Sequence, residues 1–186
     1  MNGDRHSPIV PARVTVSQLA EAIQRSVDEV RSALGRADEP ARPDDTISGE
    51  EAQRVARLLG TSVTIEARDT VLEMLYQWDI SGEAPDLTSS SPRARHLFEG
   101  VVDHCEELDR LIETASEHWS VARMPVLDRS ILRIGLFELL YDPGTPGPVA
   151  VSEAVRLAKT YSTEKSGSFV NGVLGSLARG RDVGDR

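Results

Sequence analysis

Helical periodicity is the feature of this sequence that most constrains its fold. Apolar residues recur every three or four positions along most of the chain, as at Leu97, Val101, Leu108 and Ile112, and this spacing places them on one face of an α-helix. No stretch of useful length alternates between apolar and polar residues, which is the pattern of a half-buried strand. The sequence therefore predicts an all-α fold.

A main domain is predicted at residues 61–180, followed by a tail at residues 181–186. Five helical patterns fall within the domain, at residues 64–78, 92–115, 126–141, 149–161 and 166–180. The second follows a serine-proline helix opening and carries an apolar stripe over five turns, so we expect it to be the longest helix. The third is apolar on most sides, which predicts a central, buried helix.

The first 60 residues are predicted to form an arm and a small helical module. Residues 1–13 carry two prolines and no periodicity, which indicates a flexible arm. Residues 14–60 contain three short helical patterns. The second and third begin with a capping box, a serine followed three residues later by a glutamate: Ser26 and Glu29, then Ser48 and Glu51.

The overall charge argues against a protein that holds nucleic acid by positive charge alone. The chain has 21 Lys and Arg against 30 Asp and Glu, a formal net charge of -9, and a pI near 5.0. Such domains usually have a pI above about 9 or a basic patch. Aromatic residues make up only 4% of the chain, so any stacking surface for bases could use only one or two rings.

Neither a disulfide framework nor a membrane span is expected. Cys105 is the single cysteine, which fits a reducing compartment and excludes a CxxC motif. No stretch approaches the roughly 18 apolar residues that a membrane-spanning helix needs, and the first 14 residues lack the apolar run of a signal peptide. We therefore expect a cytoplasmic protein with no membrane partner.

The sequence carries no pattern typical of an active site, so we expect that the protein is not an enzyme. His104 and Cys105 are adjacent, so a helix directs them about 100° apart, and the next histidine is His118. The loop at residues 143–148 has three prolines, which remove the N–H donors that a phosphate site needs. No carboxylates are arranged as an acid and base pair. We expect no catalytic residue, no cofactor and no metal.

Four motifs occur in the order and at the spacing of one known family. EARDTVLEMLYQWD, VLDRSILRIGLFELLY, VAVSEAVRLAKTYST and SFVNGVLGSLAR together cover about residues 64–179. In these motifs the chain resembles the NusB family of transcription antitermination factors. The resemblance implies an all-helical bundle of two halves that binds boxA RNA of nascent ribosomal RNA together with the ribosomal protein NusE. It also implies that the complex joins RNA polymerase and other Nus factors and suppresses Rho-dependent termination, and that a homodimer is possible.

The resemblance also implies an RNA-binding surface. In the family, an arginine-rich run leads into the first helix and contacts RNA. Arg68 is the only residue of that run that this chain retains. Tyr76 matches an aromatic residue near the junction of RNA and NusE, although a packed ring with its hydroxyl in water is equally plausible. Phe169 matches a ring that lies against RNA, beside Ser168, where the family has a lysine. Lys165 stands where many members carry an acid and could restore one charge.

Asp128 matches an acidic position at the NusE interface of the family. Like the RNA candidates, it has a structural alternative, because a carboxylate in the first turn of a helix favours the positive end of the helix dipole. Phe169 lies in an apolar stripe and could belong to the core. Arg68 could simply pair with Glu66 or Asp69.

Residues 14–60 resemble the small N-terminal domain of bacterial translation initiation factor 2. The two share the order of helices and a serine-capped third helix. This resemblance implies a docking module for RNA, ribosome or polymerase. The alternative is a passive extension that covers apolar surface of the main domain.

Two functions remain open at this point. The first is an antitermination factor that uses boxA RNA and NusE. The alternative is a protein-interaction or homodimeric scaffold with the NusB fold that has lost RNA binding, which the acidic main domain favours. A third function, the RNA-binding appendage of a ribosomal RNA methyltransferase, is disfavoured because no methyl-donor domain follows Arg186.

Overall fold

The computed structural model describes residues 7–37, 45–88, 90–117 and 119–184. The chain divides into two compact units, Met1–Asp69 and Thr70–Arg186. The first unit extends past residue 60, where the predicted N-terminal module ends.

The first unit combines three short helices with two pairs of very short strands. Its elements are β1 Ile9–Val10, β2 Arg13–Thr15, α1 Val16–Ala22, α2 Val27–Ala33, β3 Thr46–Ser48, α3 Gly49–Leu58 and β4 Thr64–Ile65. Strand β1 pairs in parallel with β4, and β2 pairs antiparallel with β3. The all-α class is confirmed, but these strands were not predicted, because two or three residues are too short to show an alternating pattern.

The described part of the predicted arm has regular structure instead of none. The carbonyl of Pro8 accepts the Thr64 N–H at 2.9 Å, and the carbonyl of Val10 accepts the Glu66 N–H at 2.8 Å. Val10 is also buried, together with Ala12. The backbone pairing depends on residues more than 50 positions away, so local periodicity could not reveal it. Residues 1–6 lie outside the described residues.

Helix caps fix the ends of the three short helices. Ser26 and Ser48 form the two predicted capping boxes, and Thr15 forms a third with Gln18. Gly35 and Gly60 follow α2 and α3 with φ of +73°, the left-handed conformation that glycine adopts without a steric penalty. A core of aliphatic side chains joins the helices to the strands, and it includes Val14, Leu19, Val30, Ile47 and Val55.

The second unit is a bundle of helices. Helix α4, Ala67–Ser81, begins at the end of the first unit, and it is followed by α5 Pro92–Asp103, α6 Cys105–Ala115, a 3-10 turn Val121–Arg123, α7 Val126–Tyr141, α8 Gly147–Tyr161 and α9 Ser166–Gly184. Ser91 caps α5 ahead of its first-turn proline, as predicted. Helix α4 starts later than the predicted residue 64, because residues 64 and 65 pair with β1.

Two other helix boundaries differ from the prediction. The pattern at residues 92–115 is two helices, because the backbone leaves the helical region at His104, with φ of -105° and ψ of 9°. The His104 ring lies against Tyr141, with centroids 4.1 Å apart, and its Nδ1 is 2.9 Å from the Gly100 carbonyl oxygen. The longest helix is therefore α9, which runs through residue 184 into the predicted tail.

Helix α7 forms the centre of the bundle, as predicted. Residues 130–139 are all buried, and α7 packs against α5, α6, α8 and α9. Glycines allow the closest approaches. A Cβ on Gly100 would lie 2.1 Å from Phe137 Cζ, and one on Gly135 would lie 2.6 Å from Leu174 Cδ1. Within the described ranges, no helix is both long and apolar enough to cross a membrane.

Candidate nucleic-acid interface

Two aromatic rings meet beside the first turn of α9. The ring centroids of Trp119 and Phe169 lie 5.6 Å apart, and the ring planes are inclined at 56°. Trp119 is 50% exposed, and Phe169 is half-buried. Phe169 is thus neither a core residue nor a free surface ring, and the pair leaves aromatic surface open to solvent.

The end of α6 holds the backbone around Trp119 in place. The Trp119 N–H donates to the Ser116 carbonyl at 3.2 Å, and the Trp119 carbonyl accepts from the Ser116 hydroxyl at 3.2 Å. Glu117 has φ of +55°, an uncommon left-handed conformation that lets the chain turn away from the helix. The Glu113 carboxylate then accepts the Val121 N–H at 2.8 Å. Trp119 is therefore exposed on a segment that is hydrogen-bonded on both sides.

The two lysines of the chain lie on either side of the turn between α8 and α9. Lys159 belongs to the last turn of α8 and Lys165 precedes α9; both are exposed. Neither is paired with an acidic side chain among the described residues. The Lys165 carbonyl accepts the Phe169 N–H at 3.2 Å, which places the lysine one turn before the ring. Ser168, the predicted neighbour of Phe169, is exposed as well.

Asp128 holds this turn through hydrogen bonds. Its side chain is almost completely buried, at 5% exposure. One carboxylate oxygen accepts the Ser162 hydroxyl at 2.6 Å, and the other accepts the Ser166 hydroxyl at 3.1 Å. The carboxylate therefore joins the start of α7 to the turn that carries Lys165 and Phe169. The sequence predicted a partner contact or a helix-dipole role here, and the hydrogen bonds to the turn were not foreseen.

Arg68 lies in the first turn of α4 and is paired with an acid. Its Nη1 atom is 3.1 Å from Glu66 Oε1, and the arginine side chain is 15% exposed. The same glutamate accepts the backbone N–H groups of Arg68 and Asp69 at 2.7 and 3.2 Å. Burial raises the pKa of Glu66, and a hydrogen bond with Asp69 adds to the increase, while the charge of Arg68 opposes it. The structural alternative for Arg68, pairing with Glu66, is therefore what the geometry shows.

Tyr76 lies on the exposed side of α4. It is 43% exposed, and Ile80, one turn later, is 61% exposed. The opposite face of the helix carries Val71, Leu72 and Leu75, which are buried. Tyr76 is therefore available for contact with a partner, in company with an apolar neighbour.

Two arginines on α7 are neutralised within the bundle. Arg129 Nε lies 2.6 Å from Asp79 Oδ2, and Arg133 makes two hydrogen bonds of 2.8 Å to the Asp109 carboxylate. Burial acts to lower the pKa of Arg133, but the hydrogen bonds and charge of Asp109 outweigh it, so the pKa is raised. Both guanidinium groups are committed to carboxylates and are unsuited to binding phosphates.

Comparison with known proteins identifies the domain. The sequence model described as the NusB family matches residues 65–179. This chain belongs to the NusB family. The match confirms the predicted extent of the resemblance, residues 64–179. It begins after residues 14–60, whose likeness to translation initiation factor 2 stays a prediction.

Bacterial relatives of this NusB-family chain are named transcription antitermination protein NusB. The protein from Clavibacter sepedonicus is 44% identical, over 63% of this chain and 96% of the relative. The protein from Pseudarthrobacter chlorophenolicus is 53% identical, over 60% of this chain and 90% of the relative.

Solved structures of NusB proteins share the fold. T. maritima NusB has a TM-score of 0.55 and 34% identity, and the match covers 61% of this chain and 88% of that one. A crystal structure of the antitermination factors NusB and NusE in complex with double-stranded RNA has a TM-score of 0.54 and 31% identity, and the match covers 61% and 94% of the two chains.

The NusB-family motifs led to Phe169, Ser168 and Lys165, which the structure brings together at the start of α9. They did not lead to Trp119. Its segment, HWSVARM, belongs to none of the four motifs, and an exposed tryptophan cannot be told from a buried one by sequence position alone. The signal that could have found it is the scarcity of aromatic residues, because few rings are available to stack.

Among the residues described in this NusB-family chain, neither a cluster of metal ligands nor an activated thiol is found. No three His, Cys, Asp or Glu side chains are grouped there as metal ligands, and His118 lies outside the described residues. Burial raises the pKa of the Cys105 thiol. A raised pKa keeps the thiol protonated, which fits a packing role better than a nucleophilic one.

Proposed function

We propose that this protein is a transcription antitermination factor that binds boxA RNA of nascent ribosomal RNA together with NusE and suppresses Rho-dependent termination. The family and the names of its relatives support this proposal. So does the likeness to a NusB protein solved with NusE and double-stranded RNA. The observation on this chain that carries it is the group at the start of α9 formed by exposed Lys165 and Ser168 and half-buried Phe169, which we call the α9 rim.

The α9 rim combines the two kinds of contact that RNA needs. Lys165 can neutralise a phosphate, the Ser168 hydroxyl can donate to a phosphate or a base, and the open part of the Phe169 ring can stack with a base. Base stacking on an aromatic ring contributes roughly 1 to 3 kcal/mol per base. The turn beneath the rim is held by the buried Asp128 carboxylate, so these side chains are presented in a defined arrangement.

The rim supplies little positive charge, so NusE is proposed to contribute the rest. Affinity for RNA rises with the number of phosphates that a protein neutralises. Arg68 would have to give up its ion pair with Glu66 before it could contribute a full charge. With a net charge of -9, the chain alone is expected to bind RNA weakly. A basic partner would supply the field that its own arginines do not.

NusE is proposed to dock near Tyr76 and Asp128. The exposed Tyr76 and Ile80 side chains offer an apolar contact for a protein partner. Because Asp128 is buried, we infer that it acts mainly by holding the turn, with any direct contact limited to its exposed edge. The complex of this protein with NusE would then join elongating RNA polymerase and the other Nus factors.

A titration with boxA RNA, with and without NusE, at two salt concentrations tests this function. We expect tight binding only in the presence of NusE, and weaker binding at the higher salt. Absence of binding in both arms at both salt concentrations would overturn the proposal.

Single-charge variants then test the site. Lys165→Ala should weaken binding and reduce the salt slope by about one. Arg110→Ala, which removes one exposed charge from α6, is the matched control and should leave both unchanged. Arg68→Ala should weaken binding only if the arginine leaves Glu66 in the complex. Equal effects of Lys165→Ala and Arg110→Ala would count against the α9 rim.

The second candidate is a homodimeric or protein-interaction scaffold that has lost RNA binding. The ion pair between Arg68 and Glu66 favours it, because the remnant of the arginine-rich run is already neutralised. Sedimentation analysis over a range of concentrations tests the homodimer. A mass that stays monomeric at every concentration would remove it.

A further inference from the structure

Trp119 is a large apolar side chain that the fold leaves half exposed. Seven large apolar side chains are exposed among the described residues, and Trp119 is the bulkiest of them. Full burial of such a side chain would contribute several kcal/mol to folding. Two hydrogen bonds, one donated by the Trp119 N–H to the Ser116 carbonyl and one by the Ser116 hydroxyl to the Trp119 carbonyl, nevertheless hold its backbone in place. An exposed ring on a fixed backbone suggests that something else covers it.

The contact with Phe169 leaves part of Trp119 accessible to a ligand. Phe169 approaches it at a centroid distance of 5.6 Å with the planes inclined at 56°, as in a tilted aromatic contact. Trp119 is nevertheless 50% exposed, so part of its surface stays accessible to solvent beside this contact.

The surroundings of Trp119 favour a nucleobase over the apolar surface of a protein. The interior of a protein interface is apolar and excludes charge. In sequence, Lys165 and Ser168 lie close to Phe169 and are exposed and polar, and Arg123 is exposed in the 3-10 turn that follows Trp119. The acids Glu117 and Glu164 are exposed in the same two segments. No other large exposed apolar side chain occurs in the described parts of residues 105–125 or 160–180. A single exposed ring among polar side chains fits a planar base better than an apolar protein surface.

We propose that Trp119 and Phe169 together form a stacking platform for one unpaired nucleobase of the bound RNA, with Trp119 as the principal ring. This inference rests on the proposed function, because it concerns the same RNA. It adds a contact that the family motifs do not contain. It also gives a chain with a net charge of -9 a contact with RNA that does not depend on charge.

Substitution of Trp119 tests the platform by affinity. The assay measures binding of boxA RNA to the complex with NusE. Trp119→Ala should weaken binding roughly 5- to 150-fold, the range expected for one stacked base. Trp119→Phe should retain most of the affinity, because it keeps a ring. Val149→Ala, which trims an exposed apolar side chain on α8, is the control and should bind like the wild type.

A fluorescence measurement gives a second readout that does not depend on the alanine variant. In a Trp78→Phe background, Trp119 is the only tryptophan of the chain. Stacking of a base should quench its emission as single-stranded boxA RNA is added to the NusE complex. Emission that stays constant while RNA binds would overturn the platform.

The outcomes separate this inference from the function on which it rests. If wild-type protein binds the RNA and Trp119→Ala binds equally well, the platform is wrong and the proposed function stands. If the wild type binds no RNA with or without NusE, both fail. If Trp119→Ala instead weakens binding to NusE in the absence of RNA, the ring is a protein contact, and the platform is again wrong.

Discussion

A cluster of charges at the end of α7 offers a quantitative test of the fold. The Nη2 atom of Arg93 lies 2.7 Å from a Glu138 carboxylate oxygen and also contacts the Asp142 carboxylate. The Thr145 hydroxyl donates to Asp142 at 2.6 Å. Both carboxylates are buried, at 1% and 8% exposure. The hydrogen bond from Arg93 is the main reason that the pKa of Asp142 is lowered to about 2, although burial opposes the shift.

The lowered pKa predicts how much Asp142→Asn should cost. The ordinary pKa of an aspartate is near 4, against about 2 for Asp142 in the folded protein. At about 1.4 kcal/mol per unit, the ionised carboxylate stabilises the folded protein by roughly 2 kcal/mol. Because the folded pKa lies below the unfolded one, this contribution is present above about pH 4 and is lost as the pH falls towards 2. Asp142→Asn should therefore be less stable than the wild type by about 2 kcal/mol at pH 7.

Urea unfolding followed by tryptophan fluorescence measures this difference. Trp78 and Trp119 both belong to the second unit, so the signal reports the unit that contains the cluster. The difference between wild type and variant should shrink between about pH 5 and pH 2. Glu99→Gln, on the exposed side of α5, is the control and should change stability by less than about 0.5 kcal/mol. A difference that is absent at pH 7, or that does not shrink in acid, would refute the electrostatic argument.

Four further substitutions test the packing and the caps. Gly100→Ala should destabilise the second unit by about 1 to 3 kcal/mol, because the new Cβ would overlap the Phe137 ring. Gly172→Ala has open space around its Cβ and should be neutral or stabilising. Urea unfolding compares the two variants. Ser166→Ala should cost about 1 to 3 kcal/mol in the same assay, because buried Asp128 loses a donor, and an unchanged midpoint would contradict the supporting role of Asp128. Ser48→Ala removes the cap of α3 and should lower the stability of the first unit by about 1 kcal/mol. The backbone amides of α3 should then exchange hydrogen faster, and unchanged exchange would show that the cap contributes little.

Local signals in the sequence were sufficient for the helices and their caps. Ser26 and Ser48 were predicted as capping residues because a capping box needs only four consecutive residues. The central position of α7 followed from its apolar composition. The strands of the first unit were missed because Ile9 pairs with Thr64, a contact between distant residues that leaves no local pattern. The break at His104 was missed for a related reason, since the apolar stripe continues across it while the ring packs on Tyr141 of another helix.

The candidate site was predictable only in part. Phe169 and Lys165 were identified by the resemblance to the family, and in the structure they lie one turn apart at the start of α9. The motifs could not show that Arg68 is paired with Glu66, or that Asp128 is buried under the turn. Burial and pairing are properties of the folded chain, which the identity of a matched residue does not contain. For the same reason, the ring of Trp119 became a candidate only when its exposure and its contact with Phe169 were known.

Transcription in vitro tests the central claim most directly. The template would carry boxA upstream of a Rho-dependent terminator, and the reaction would contain RNA polymerase, Rho, NusE and the other Nus factors. We predict that adding this protein increases the fraction of transcripts that pass the terminator, and that a template with a mutated boxA shows no increase. Equal readthrough with and without the protein on the intact boxA template would contradict the account.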